Sequence, residues 1–276
     1  MSPTNSVADV GVVDLSRRNH DAERNRGVPA FLLWAIGGAW LLTILAWTEG
    51  WGRALGHDHL IEHGPGFWPA LGLFLGGWQV MVAAMMLPSS LAVFRWFDGL
   101  TAGQRDRQSL GAAFLAGYVA VWTGFGALAF LGDMGFHRFV DRWPWLAARP
   151  WLIGGSALVL AGAFELSPLA GRCDRRRAQM GGHPSRHPGL VNSGAMRYGA
   201  DHGLQRLSRC WALMLLSFAV GMASLVWMIV LTLLMVLQER DGGGRAGLLM
   251  GIALLAAAGL VIAHPGWMPS LFPGAA

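Results

Sequence analysis

The sequence predicts an all-α fold, a polytopic membrane helix bundle of about six transmembrane helices. Three observations carry that prediction. Of 276 residues, 54% are hydrophobic and 13% charged, too little charge to cover a water-soluble domain of this length, whereas lipid solvates an apolar exterior directly. The apolar residues gather in stretches matching the ~20 residues that cross a hydrocarbon core at 1.5 Å rise per residue. The basic residues, all arginine, cluster between those stretches, where they serve orientation in a membrane rather than nucleic-acid binding.

Residues 1–29 read as a polar, basic N-terminal arm. The apolar stretches are about 30–48, 70–94, 110–131, 151–170, 210–237 and 246–263. The first lacks a small-residue cleavage site, so it reads as an uncleaved span. Residues 171–209, basic and punctuated by Gly and Pro, read as a flexible cytoplasmic loop, and 264–276 as a C-terminal tail. The arm and the loops after the second and fourth spans hold fifteen arginines against six on the other side. The positive-inside rule then places both termini in the cytoplasm. Trp47, Trp51 and Trp68, then Trp143, Trp145 and Trp151, flank the outer loops as an aromatic belt. Gly72 with Gly76, and Gly247 with Gly251, have the spacing that lets helix backbones approach.

The second span sets Met81 and Met85 one turn apart, with Met86 beside them. Thioether sulfur is a soft ligand that selects Cu(I) and adds no buried charge, although methionine also fills irregular gaps between helices. Pro88 is expected to disturb the inner end of that helix. The fifth span carries Cys210, Met214 and Met222. Arg209 beside Cys210 would favour thiolate, the metal-binding form. Cys173 and His202 stand where the ends of spans four and five bring them toward Cys210. Two cysteines in all make no disulfide framework. His57, His59 and His63 in the first outer loop are a second donor set, or ordinary solvated polarity. Glu165 is the clearest ionisable group inside a span, a functional candidate by default. No central histidine pair supports haem. No phosphate loop supports a nucleotide, and no Ser-His-Asp order or carboxylate pair supports an enzyme.

As a set, Trp78-x-x-Met81-x-x-Ala84-Met85-Met86-Leu-Pro88-Ser89, Gly117-Tyr118-x-x-Val121-Trp122, Glu165-Leu-Ser-Pro168, His202-Gly203-Leu204 and Cys210-Trp211-Ala212-Leu213-Met214 are distinctive. They resemble the predicted metal-binding integral membrane protein family, which includes the membrane copper chaperone found beside bacterial tyrosinases. The resemblance runs over about 70–240. It implies a non-enzymatic copper-handling factor supplying a copper enzyme or other cuproprotein. Met81, Met85, Met86, Met214 and Met222 would then be soft donors, with His202, Cys173 and Cys210 at the inner mouth. Arg209 and Gln205-Arg206 stand where that pattern carries further cysteines. The alternative is a structural or assembly subunit of a membrane complex, and either reading leaves room for an oligomer.

Overall fold

The computed structural model describes residues 30–49, 66–172, 191–220, 225–240, 245–264 and 266. His57, His59, His63, Cys173 and Met222 lie outside the described residues. The helices in chain order are α1 (Ala30–Thr48), α2 (Phe67–Leu100), α3 (Arg107–Asp141), α4 (Pro144–Ala147), α5 (Pro150–Leu166), α6 (Asn192–Val220), α7 (Leu225–Arg240) and α8 (Arg245–Ala263). Among the described residues there is no strand, so the fold is all-α. The helices α1, α2 and α8 and residues Arg107–Val140 of α3 are long and apolar enough to cross a membrane; Trp151–Leu166 and Leu225–Glu239 are shorter apolar helices.

Two expected boundaries move. Residues 192–209, expected as loop, are helix continuous with 210–220. The apolar-run criterion missed this because α6 begins polar and buries only one stripe. That stripe is Ala195, His202, Arg206, Arg209, Cys210, Leu213 and Met214, at the three- and four-residue spacing of one helical face. The expected fifth span at 210–237 is shared between α6 and α7, with 221–224 outside the described residues. The expected fourth span, 151–170, is also interrupted, since α5 ends at Leu166. Ser167 is extended, with φ −76° and ψ 152°, as the residue before a proline prefers, and helix resumes at 168–172.

Pro88 sits inside α2 without ending it. Lacking an N–H, it leaves the Ala84 carbonyl four residues earlier without its helical donor. The Trp40 indole of α1 donates to that carbonyl at 3.1 Å. The expected disturbance is therefore absorbed by a neighbouring side chain, which docks α1 on α2 at that level.

Packing runs in a circuit, α2 on α3, α3 on α6, α6 on α5, α5 on α8, α8 on α7 and α7 back on α2, with α1 outside against α2. The α2–α3 seam is aromatic. The Trp78 indole donates to the Trp122 carbonyl at 2.8 Å, and its ring fills the space where a side chain at Gly126 would stand. Phe74 meets Phe130, and Phe94 meets Phe114. Partners that rise on one helix as they fall on the other make α2 and α3 antiparallel.

The α3–α6 seam is backbone against backbone. A Cβ at Gly117 would run into the Met196 carbonyl, and one at Gly199 into the Phe114 carbonyl. Val121 meets Gly203 and Ser109 bonds Asn192, a constant register that makes α3 and α6 parallel. It follows that α2 and α6 are antiparallel. Gly251 of α8 and Gly162 of α5 make a third close seam, in which each lies against the other's carbonyl. The expected close approach of backbones is met at Gly251; Gly247 faces the Arg209 side chain, and at Gly72 and Gly76 an added Cβ finds no heavy atom within 4 Å.

Candidate functional site

Midway along α6 the buried stripe carries charge. Arg209 Nη1 lies 2.7 Å from Glu165 Oε2, and the two side chains are 3% and 0% exposed. Gln238 Nε2 donates to the same oxygen at 2.8 Å. One turn back, Arg206 Nη1 donates to Glu239 Oε2 at 3.0 Å, and Arg206 Nη2 to Ser89 Oγ at 2.6 Å. The neighbours Gln238 and Glu239 thus reach the two ion pairs from the end of α7. On the α8 side, Gly247 leaves room for the guanidinium, since a Cβ there would stand 3.1 Å from Arg209 Nη2.

Two guanidiniums and two carboxylates make this layer neutral. Neutrality is what lets Arg206, Arg209 and Glu165 stay buried with Glu239 half-buried beside them, because an unpaired buried charge would cost several kcal/mol. The layer also ties α6 to α2, α5 and α7. On α3, Tyr118 continues it, with its hydroxyl 3.4 Å from Ser90 Oγ. Its ring stacks on His202 at 5.7 Å.

Sulfur lies on the next turns. Cys210 and Met214 follow Arg206 by one and two turns of α6; Met85 and Met86 precede Ser89 by one turn of α2, and Met81 by two. Because the helices are antiparallel and joined by the Arg206–Ser89 bond, these steps go the same way along the bundle. Met81, Met85 and Met86 on α2 and Cys210 and Met214 on α6 therefore lie on the same side of that bond. All five are buried, Met85, Met86 and Met214 completely. The Cys210 thiol donates to the Arg206 carbonyl at 3.0 Å. Arg209, expected to draw out a thiolate, is committed to Glu165 instead.

The other expected residues fall elsewhere. His202 is eight residues from Cys210 on one continuous helix, about 12 Å along its axis, and packs between the Phe114 and Tyr118 rings. The two do not meet at one ion. Glu165 is the acceptor of Arg209 and Gln238 rather than an open carboxylate. Among the described residues no three His, Cys, Asp or Glu side chains gather in a metal-binding group, so soft donors are the ones this interior offers.

Arg206, Gln238, Glu239 and Ser89 were not among the expected site residues. The signal was present: His202, Arg206 and Cys210 recur every four residues and run directly into an apolar helix, which makes a charge on that face buried rather than solvated. Of the fifteen arginines counted for orientation, Arg206 and Arg209 are buried in ion pairs and say nothing about which side faces the cytoplasm.

A family model described as PpoB2, copper chaperone, matches residues 75–262. Neither the curated proteins nor the solved structures contain a match.

Proposed function

The chain belongs to the PpoB2 copper-chaperone family, and from that premise we propose that it is a non-enzymatic membrane protein carrying Cu(I) to a partner cuproprotein. Met85, Met86, Cys210 and Met214 are its principal donors, with Met81 and Met222 next along the same two segments. The observation that carries this is the buried sulfur on both α2 and α6, on the same side of the Arg206–Ser89 bond. Thioethers are neutral. A single thiolate added to Cu(I) brings the net charge of the loaded site to zero, which greatly reduces the cost of burying the ion, and the Cys210 proton leaves as metal arrives. A donor set dominated by thioethers also binds weakly enough to release its cargo.

The long apolar helices carry the membrane assignment. Their outward side chains are apolar: on α1, Phe31, Leu33, Trp34, Leu41, Leu42 and Leu45 are exposed, as suits a helix whose outer face meets lipid. We place the charged layer toward the cytoplasm of a bacterial inner membrane, following the arginine count outside α6.

The test is copper per purified full-length chain under reducing conditions. Met85→Leu with Met86→Leu keeps volume and apolarity and is expected to abolish stoichiometric Cu(I) while helicity is unchanged. Parental occupancy in that variant would remove these two residues from the site.

A further inference from the structure

We infer that the charged layer is a gate, a reversible closure over the buried sulfur at the Arg206 end of the bundle. The inference rests on the copper reading for what passes, but its geometry stands apart from it. Every helix of the packing circuit contributes at that level: Ser89 from α2, Tyr118 from α3, Glu165 from α5, both arginines from α6, Gln238 and Glu239 from α7, and Gly247 from α8. Cys210 lies one turn beyond and is 1% exposed. An ion moving along the bundle axis between that end and the methionines crosses the layer.

Stability alone does not account for charge here. Well-packed apolar side chains of similar volume hold a helix interface as firmly as a buried ion pair, or more firmly. Ion pairs differ in how they part. Once water enters, each partner is solvated on its own, whereas parted apolar surfaces are penalised by the same water. The carboxylates of Glu165 and Glu239, released as the pairs separate, also offer an arriving cation the compensating charge that the closed layer spends on arginine. A neutral, internally paired layer therefore closes without attracting ions and opens into one that does.

The experiment reads closure through the Cys210 thiol, without copper. The full-length chain carries two cysteines, so Cys173→Ser leaves Cys210 alone. Its alkylation by a water-soluble maleimide is followed in detergent with a copper chelator present. The closed layer makes that reaction slow in the parent. Glu165→Gln and Glu239→Gln, each removing one ion pair, are expected to raise the rate at least about tenfold, the effect of ~1.4 kcal/mol on a local opening equilibrium. The reversed pair Glu165→Arg with Arg209→Glu is expected to bring it back toward the parent. Parental rates in both Gln variants, with helicity retained, would overturn the gate. If those variants fail to fold, Gly247→Ala decides: its Cβ presses on Arg209 from α8, so a faster rate supports the gate and an unchanged rate overturns it. The two readings fail separately. Copper binding with indifferent alkylation rates sinks the gate alone; responsive rates in a chain that binds no copper sink the chaperone reading alone.

Discussion

The charged layer and the buried sulfur adjoin along α2 and α6, yet they are specified in different ways. In the charged layer each side chain has a named partner at hydrogen-bonding distance: Arg209 with Glu165, Arg206 with Glu239 and Ser89, Gln238 with Glu165. Replace one and its partner is left buried with an unbalanced charge. Among the sulfur side chains Met85, Met86 and Met214 are completely buried, and packing asks of them only volume and apolarity. Once one charge of the first set is present, folding dictates its partner; nothing in the packing dictates sulfur in the second.

The sharpest way to break that comparison is Arg209→Met. It strands Glu165, and the expected loss is about 3–5 kcal/mol of unfolding free energy, read from thermal or denaturant unfolding in detergent. Adding Glu165→Gln should return a large part of that loss, because the unpaired charge goes with it. No recovery in the double variant would show that the two residues do not act as a pair.

Gly251→Ala extends the dictated set to a position without charge. The new Cβ would meet the Leu166 side chain at 2.6 Å and the Gly162 carbonyl at 3.1 Å. Overpacking of this kind costs about 1–3 kcal/mol, and the same unfolding measurement should find α5 and α8 loosened. A neutral result would mean that the seam yields where its backbone contact predicts that it cannot.

The two sets also differ in how far the sequence reveals them. Methionines, cysteine and the Pro-bearing turn of α2 stand out because they are unusual in an apolar run, and they are where the buried sulfur lies. The bundle is legible for the same reason, since α1 and α8 fall almost on the expected 30–48 and 246–263. Arg206 and Arg209 were hidden by their own kind. In a chain with 21 arginines, two more beside a Gly- and Pro-rich stretch look like loop, and only the four-residue recurrence from His202 marks them as one face of a helix. Their partners lie 33 and 44 residues away, a pairing that no local pattern encodes. Glu165 was conspicuous by its depth, but its role as an arginine partner depends on how α5 crosses α6.

Met85→Leu with Met86→Leu is the converse test. Leucine for methionine is close to isosteric, so each change should cost less than about 1.5 kcal/mol, well below the loss at Arg209, even as copper is lost. Destabilisation equal to that of Arg209→Met would erase the contrast, because the sulfurs would then be structural after all.

The smallest effect is expected at Gly72. Its spacing to Gly76 matches that of Gly247 to Gly251, so a sequence motif treats the pairs alike, but at Gly72 and Gly76 an added methyl group meets nothing within 4 Å. Gly72→Ala therefore introduces no overlap inside the chain. What remains is the backbone term: alanine is favoured over glycine in a helix interior by up to about 1 kcal/mol, and in a hydrocarbon environment, where an unfolded backbone has little freedom to lose, less than that. The expected outcome is unchanged or slightly raised stability, against a clear loss for Gly251→Ala in the same assay. Should Gly72→Ala destabilise the protein by as much as Gly251→Ala, the α2 face must be covered by something outside this chain. Comparing the dependence of the loss on protein concentration would then show whether a second copy supplies the cover, since dissociation of a dimer varies with concentration and a fault within one chain does not.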